Sequence, residues 1–230
     1  FIILSSFDFI AVWHLIDLTV MKLRVRSHKR VGPHNHDLLC IIYGTLLGDA
    51  HAERRSIGNG TRISFYQEHT HTEYLLWLHS LMAGLGYCNP KIPVIKTRLG
   101  LNGIIRYVRR FHSFTYTSFN TIHSGWYTNG IKHVPVDIAN YLSPLALAIW
   151  ISDDGGRVGS GLKFATNSFT YDDCLRLSLV LYNLYGIRAT VQKAGLPNQF
   201  VIYVWAESMP LLRSIVKPYM VSSMLYKLGE

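Results

Sequence analysis

The chain has 230 residues, of which 49% are apolar, so it can bury the core of one large domain or of two small ones. Its net charge of +9 favours polyanionic partners, DNA or RNA, although charge alone also fits a basic protein with no nucleic-acid role. Three widely spaced cysteines, Cys40, Cys88 and Cys174, suggest neither a disulfide framework nor a zinc site.

The first thirty residues differ in character from the rest of the chain. Residues 1–20 are apolar, but Asp8, His14 and Asp17 interrupt them too often for a membrane span. They also lack the basic region that opens a signal peptide. We interpret residues 1–33 as a leader, or as an extra helix, that ends in a basic tail, and we expect no membrane partner.

Two apolar helices, each running into an aspartate, are the most informative feature. Residues 42–50 and 147–155 are apolar on every side, which requires burial on every side. They deliver Asp49 and Asp154, which are 105 residues apart, at the negative poles of the two helix dipoles. Two such ends would repel each other unless a cation lay between them. A shared divalent metal, Mg²⁺ by its preference for hard oxygen ligands, is the simplest explanation.

Asp153 directly precedes Asp154 and is an alternative ligand. Neighbouring side chains on a helix point about 100° apart, so the two carboxylates cannot both face the same partner. The register of the motif, with the single Asp49 in the first copy, favours Asp154.

Small residues in both helices predict that the helix backbones touch. Gly44 and Gly48 are spaced four apart, as are Ala148 and Ser152, and removing side chains in this pattern lets two helices approach closely. Glycine is unfavourable in a helix interior, so two of them in one short helix indicate a packing role. The Ser-Pro pair at 143–144 is typical of a helix start.

The chain also repeats one unit twice, with an offset of 100 residues. Each copy has a strand, a helix that opens with a capping-box pattern, carries leucines and stops at glycine, and then a hairpin. The first strand is Arg62–Gln67 in one copy and Leu162–Asn167 in the other, and the capping-box residues are Thr70 and Glu73 in one and Thr170 and Asp173 in the other. The helix leucines are Leu75, Leu78, Leu81 and Leu85 in the first copy and Leu175, Leu179 and Leu184 in the second, and the helices stop at Gly86 and Gly186. The hairpin strands are residues 92–97 and 104–108 in the first copy and residues 189–193 and 200–205 in the second.

The unit therefore reads α-β-β-α-β-β-α. We predict an α+β fold of two pseudo-symmetric α/β repeats, residues 34–135 and residues 136–230, each with a curved antiparallel sheet. The two acidic helices join the halves, and residues 115–145 bridge them. A lysine closes each copy, Lys132 in the first and Lys227 in the second, 95 residues apart.

This arrangement resembles the LAGLIDADG homing endonucleases in their single-chain form with two motifs. The resemblance covers roughly residues 36–228 and includes 141–148, 217–219 and 226–228. It implies a DNA-binding saddle and a monomer that makes a staggered double-strand cut, leaving 3′ overhangs, at a long asymmetric site. It further implies a role in intron homing, an organellar and mostly mitochondrial origin, and an exon-derived leader.

The resemblance carries only the eighth-position aspartates, Asp49 and Asp154, over as metal ligands, and backbone carbonyls at Gly48 and Asp153 are added as candidates. Mg²⁺ is the expected ion, with Mn²⁺ as a substitute and Ca²⁺ supporting binding without cleavage. Lys132 and Lys227 are also candidate catalytic residues, which would polarise water or offset phosphate charge, unless they are ordinary surface lysines. Gln67 and Asn167 are the remaining candidates, and they would order water or contact DNA.

Strand alternation predicts which side chains face DNA, because every second residue points away from the helices. Arginine and glutamine suit base reading in the major groove, although each is as well suited to a phosphate contact. The candidate DNA-binding residues are Arg62, Ser64, Tyr66, Lys96, Arg98, Arg106, Lys163, Arg188, Thr190, Gln192, Lys193 and Gln199. Two other functions stay open: an RNA maturase that assists splicing of a group I intron, and a DNA binder that does not cut.

Overall fold

The chain is described from a computed structural model that covers residues 29–56, 59–100 and 103–230. Most of the predicted leader, residues 1–28, lies outside these described residues. At its end, Arg30 Nη1 donates to the carbonyl of Thr115 at 3.3 Å, and the His34 Nδ1 lies 2.9 Å from the Tyr87 hydroxyl. Residues 30–34 therefore pack on the first half.

The first half follows the predicted order of elements. An Asn35 side chain caps the first helix by accepting from the amides of Asp37 and Leu38. The elements are α1 His36–Leu47, β1 His51–Arg54, β2 Thr61–Glu68, α2 Thr72–Gly84, β3 Lys96–Leu99, β4 Ile105–His112 and α3 Phe119–Trp126. A short hairpin, β5 Tyr127–Thr128 with β6 Ile131–Lys132, then leads towards the second half.

The second half repeats this order. Ser143 caps α4 by accepting from the amide of Ala146, and Pro144 is its first residue, as predicted. The elements are α4 Pro144–Asp154, β7 Gly155–Val158, β8 Gly161–Phe164, α5 Tyr171–Tyr185, β9 Ala189–Lys193, β10 Phe200–Val204 and α6 Met209–Val216. Short 3₁₀ turns at Lys217–Tyr219 and Ser222–Leu228 close the chain.

Each half has one antiparallel four-stranded sheet with the same strand order, β1-β2-β4-β3 in the first and β7-β8-β10-β9 in the second. The α-β-β-α-β-β-α unit and the α+β class are thus confirmed. Helices α1 and α4 lie against each other at the centre, and most of their residues are buried. None of the helices in the described part of the chain is long and apolar enough to span a membrane.

Several local predictions were wrong. Residues 92–95 are not part of a strand, and β8 ends at Phe164, so residues 165–167 lie beyond it. Thr170 does cap α5, by accepting from the amide of Asp173 at 3.2 Å, but α2 begins only at Thr72 after a 3₁₀ turn, so Thr70 is not its cap.

The leucines aligned in α5 do not form its buried face. Leu175, Leu179 and Leu184 are exposed, and the buried stripe of the helix comes instead from Cys174, Leu177 and Leu181. The cause is a one-residue error in aligning the two copies. Glycines Gly86 and Gly186 do follow their helices with positive φ, as a left-handed helix end requires.

Candidate active site

Helices α1 and α4 cross where glycine permits it. A Cβ added to Gly44 would lie 2.6 Å from the carbonyl oxygen and 2.9 Å from the Cα of Ala146. A Cβ added to Gly48 would lie 2.6 Å from Oδ2 of Asp153. The predicted role of both glycines is supported, but their partners are Ala146 and Asp153 rather than Ala148 and Ser152.

Carboxylates from both halves meet at this crossing. The side chain of Asp153 lies over Gly48 and reaches the first half, where its Oδ2 accepts from the amide of Asp49 at 3.4 Å. The Nε2 of Gln67 donates to Asp49 Oδ2 at 2.6 Å and to Asp153 Oδ1 at 3.0 Å. Asp153 is thus held by the first half. The Asp154 carboxylate makes no hydrogen bond to any residue that the structure describes, so it is the aspartate of the second half that can take a ligand.

The electrostatics of this cluster suit a cation. Burial first, and then the negative charge of Asp49, raise the pKa of Asp154 to about 7, although Lys132 and Lys227 oppose the shift. Burial and Asp49 also raise the pKa of Asp153 well above its ordinary value. Without a metal, these carboxylates therefore tend to retain protons, and a divalent cation is the natural replacement for those protons.

The donor set fits a metal that keeps part of its own shell. Within the described ranges, no group of three or more His, Cys, Asp or Glu side chains has metal-binding geometry. Asp49 and Asp154 would supply two hard oxygens, and water and a substrate phosphate would supply the others, which is the manner in which Mg²⁺ is usually bound.

The two lysines occupy equivalent places, as the repeat predicted. Lys132 Nζ donates to the backbone carbonyls of Gly48 at 3.3 Å and Ala50 at 3.1 Å. Lys227 Nζ donates to the backbone carbonyl of Asp153 at 2.8 Å and also to the backbone carbonyl of Ser152. Each lysine therefore places a cation on the negative pole of one acidic helix. The carbonyls of Gly48 and Asp153, our candidate metal ligands, already accept from a lysine and have one lone pair left.

Burial in this position changes the lysines. It lowers the pKa of Lys132 to about 8 and also lowers the pKa of Lys227, although the three aspartates act in the opposite direction. Neither lysine is an ordinary solvated surface lysine, since Lys227 is 6% exposed and Lys132 is half-buried.

Gln67 reaches the site, but Asn167 does not. The strand pairing aligns the two halves. His51 and Gly156 each lie two residues after the aspartate of their half, and His51 pairs with Ser64 while Gly156 pairs with Lys163. Ser64 therefore corresponds to Lys163, and the counterpart of Gln67 is Thr166. Thr166 is buried and donates to the carbonyl of Phe200, while Asn167 is exposed and donates to Gln199 Oε1 at 3.0 Å.

Sequence reasoning missed two residues beside the carboxylates. His71 Nδ1 lies 3.2 Å from Gln67 Oε1, and Tyr74 is buried and donates through its hydroxyl to the carbonyl of Ile149 at 3.3 Å. The pair His69 and His71 stands out in the sequence, but with no third ligand nearby it suggests only surface or packing histidines.

Most of the predicted DNA-facing residues lie on the outer faces of the two sheets. Lys96, Arg98, Lys163, Arg188, Gln192 and Lys193 are exposed, and Tyr66, Thr190 and Gln199 are partly so. Lys193 directly follows Gln192 in β9, so its side chain points to the opposite face of the sheet, and its partner in β10 is Phe200. Exposed Arg110, which pairs with Tyr66, belongs to the outer face and was missed.

Two of the candidates form ion pairs within the protein, and a third is buried. Arg62 forms an ion pair with Glu53 at 2.7 Å, and Arg106 forms one with Glu68 at 2.6 Å, so DNA contact would require exchange of these partners. Ser64 is 3% exposed, because the ring of His112 covers it and lies 2.8 Å from its hydroxyl. His112, the partner of Ser64 on the neighbouring strand, therefore lies at the surface where strand alternation had placed Ser64.

Comparison with known proteins decides the family. The family model described as the LAGLIDADG DNA endonuclease family matches residues 39–212, which is more than half of the chain. The chain belongs to this family. The LAGLIDADG motifs are the segments that end at Asp49 and Asp154, and the predicted resemblance is confirmed.

Individual LAGLIDADG relatives carry two kinds of names. The cytochrome b mRNA maturase bI2 of Saccharomyces cerevisiae is 53% identical over 210 residues, which are 88% of this chain and 50% of the relative. This chain therefore spans half the length of that relative. The protein of the same name from Debaryomyces hansenii is 52% identical over 215 residues, 92% of this chain and 82% of the relative. The intron-encoded endonuclease ai4 of Dictyostelium discoideum is 38% identical over 150 residues, 63% of this chain and 93% of the relative.

A solved structure has the same fold. The homing endonuclease I-WcaI, bound to its DNA recognition sequence, matches with a TM-score of 0.78 at 20% sequence identity. The match covers 92% of this chain and 96% of that one. The two-half architecture is thus shared over nearly the whole length of both chains.

Proposed function

We propose that this chain is a monomeric, Mg²⁺-dependent, site-specific DNA endonuclease that makes a staggered double-strand cut. The observation that carries the proposal is the junction of α1 and α4. Asp49 and Asp154, which are equivalent in the two halves, lie close enough there for the charge of Asp49 to raise the pKa of Asp154, and an equivalent lysine from each half caps each acidic helix. Two equivalent sites side by side fit the two strands of a duplex.

The residues have separate tasks in this proposal. Asp49 and Asp154 would hold the metal, which would supply Lewis-acid chemistry to the scissile phosphate and to an attacking water. Lys132 and Lys227 each cap the end of one acidic helix and place positive charge near the phosphate. Gln67 orients the carboxylates of both halves through its Nε2.

Selection of cleaved sites from a randomised duplex library tests the proposal. We expect one long asymmetric site, cut in Mg²⁺ or Mn²⁺ and bound but not cut in Ca²⁺. The asymmetry follows from the different side chains on the two sheets, such as Arg98 in β3 and Gln192 in β9. Binding without cleavage under every condition would contradict the nuclease and favour a DNA or RNA binder.

Lys227→Met should slow cleavage by about a hundredfold while the Kd for DNA changes much less. The reason is that the ammonium acts on charge that develops during the reaction, and loss of one such group costs about 10²–10³ in rate. Single-turnover cleavage and DNA binding in Ca²⁺ measure the two quantities. Lys217→Met is the matched control, because Lys217 is exposed and pairs with Glu230 in the same part of the chain. Equal losses of cleavage and binding would make Lys227 a phosphate contact.

DNA binding should weaken steeply with salt. Each phosphate neutralised contributes about 0.9 to the slope of log K against log salt concentration. Lys163→Ala, on the exposed face of β8, should lower the slope by about one. Titrations at several salt concentrations measure it, and a flat response would argue against a basic surface along the duplex.

A second function, assistance in splicing an intron RNA, is favoured by the relatives. Two proteins that are 53% and 52% identical over most of this chain are named cytochrome b mRNA maturases. They also support a mitochondrial origin of this chain. Splicing of the intron RNA that encodes the chain, with and without purified protein, tests this function. Acceleration by a cleavage-dead Asp154→Asn protein would show that splicing does not need the metal site.

A further inference from the structure

A line of polar side chains runs from the carboxylates to the C-terminal turn. Both hydrogens of the Gln67 amide point to carboxylates, one on Asp49 and one on Asp153. The other end of this amide, Oε1, lies 3.2 Å from Nδ1 of His71. The Nε2 of the same ring lies 3.4 Å from the hydroxyl of Tyr226.

With both carboxylates ionised and the His71 ring neutral, one assignment of protons satisfies every member of this line. Gln67 must direct its NH₂ group at the carboxylates, because a flipped amide would set its carbonyl against them. Oε1 is then an acceptor, so Nδ1 of His71 must carry the ring proton. Nε2 is consequently a bare acceptor, and the Tyr226 hydroxyl donates to it. Burial first, and then the charge of Lys227, lower the pKa of His71 although Asp49 and Glu68 oppose the shift, which favours the neutral ring.

The position of His71 shows that its ring does not serve the helix. It occupies the N-cap position of α2 but makes no side-chain cap hydrogen bond. In the second half the equivalent position is Thr170, which does cap α5, and Thr166 stands in place of Gln67. The first half thus departs from the repeat at both positions together.

Tyr226 connects this line to the other half of the molecule. It directly precedes Lys227, whose ammonium binds the end of α4. Ser222 in the same turn donates to Glu73 at 3.2 Å, a second contact between this turn and the start of α2. A shift of the C-terminal turn would therefore be transmitted to the Gln67 amide.

We propose that His71 is a positioning residue that fixes the orientation of the Gln67 amide, and that Tyr226 ties it to the segment carrying Lys227. This rests on the proposed nuclease function. His71 acts through Gln67 and makes no contact of its own with the reacting phosphate.

Single-turnover cleavage by substituted proteins tests the proposal. His71→Phe keeps a ring but removes both hydrogen bonds, and it should slow cleavage by about 30- to 100-fold, since small misplacements of a catalytic group have effects of this size. The Kd for DNA in Ca²⁺ should not change. His71→Asn places an amide NH near the Nδ1 position and should restore most of the rate, which a merely structural role would not predict. His69→Phe is the matched control, because His69 lies in the same turn and is bonded to Thr72 instead.

A second measurement does not depend on activity. The ¹⁵N shifts of the His71 ring should show the Nδ1–H tautomer, and Tyr226→Phe should weaken that preference. An Nε2–H tautomer, wild-type cleavage by His71→Phe, or failure of His71→Asn to restore the rate would overturn the proposal. If the unmodified protein cuts no DNA, the nuclease function fails. The tautomer of His71 then tests by itself whether Gln67, His71 and Tyr226 are hydrogen-bonded as described.

Discussion

Replacement of Asp154 by Asn should abolish DNA cleavage, lowering the rate by about three orders of magnitude or more, and should leave DNA binding largely intact. This is the expected result because the amide cannot supply the anionic oxygen that holds the metal, and metal catalysis contributes several kcal/mol to such reactions. Cleavage in Mg²⁺ and binding in Ca²⁺ measure the two effects. Asp49→Asn should behave in the same way, and Asp172→Asn, an exposed acid at the start of α5, should cut like the unmodified protein. Undiminished cutting by either of the first two variants would contradict a shared metal.

The same substitution should stabilise the metal-free protein. Burial and Asp49 raise the pKa of Asp154 from 3.8 to about 7, so the unfolded chain loses this proton before the folded protein does. Stability is therefore lost as the pH rises from 3.8 to about 7. In chelator at pH values above this range, Asp154→Asn should have the higher Tm, and the difference should shrink as the pH is lowered towards 4. An equal or lower Tm at high pH would contradict the raised pKa.

Gly44→Ala should destabilise the protein by about 3 kcal/mol, at the upper end of the usual range for overpacking. The added Cβ would lie 2.6 Å from a backbone oxygen and 2.9 Å from a backbone Cα of Ala146, neither of which can rotate away. The two acidic helices would have to separate, and cleavage should fall with them. The midpoint of urea unfolding measures the loss.

Gly84→Ala is the matched control for this change. Gly84 is also helical, but a Cβ added there meets nothing within 4 Å. Alanine there should be neutral or slightly stabilising, since glycine weakens a helix. An unfolding midpoint of Gly44→Ala equal to that of Gly84→Ala would show that the helices do not touch at this point.

The parts of this molecule that the sequence predicts well are those with strong local physics. Helices α1 and α4 are apolar all round and end in aspartates, and burial with a shared cation is their simplest explanation. Strand β9 matches its predicted limits, and Ser143 and Thr170 cap helices as their side-chain oxygens suggest. The lysines were found by their places in the repeat, and both reach the carbonyls at the ends of the acidic helices.

The errors arise where two distant segments must be aligned. The loop between β1 and β2 is longer than the loop between β7 and β8, so the spacing between equivalent residues changes within the repeat. A strand alternates with period two, so a one-residue slip exchanges its faces, and here it led to Asn167 instead of Thr166. The same slip moved the expected core leucines of α5 to the surface.

Other features of the site depend on contacts that have no local signal. His71 and Tyr226 are 155 residues apart and meet only because the C-terminal turn packs against α2. Asp153 reaches across into the first half because Gly48 leaves room for it. Neither contact follows from helical or strand periodicity, because both depend on the way the halves are joined.

The fit of Asp153 over Gly48 matches a side chain of one half to a space in the other. Two first halves joined in the same way would set Gly48 against Gly48 and leave a gap with no carboxylate in it. Two second halves would force the side chains of two Asp153 residues into one space. The joint is therefore asymmetric at equivalent positions, because the room that Gly48 leaves in the first half is filled by the Asp153 side chain of the second.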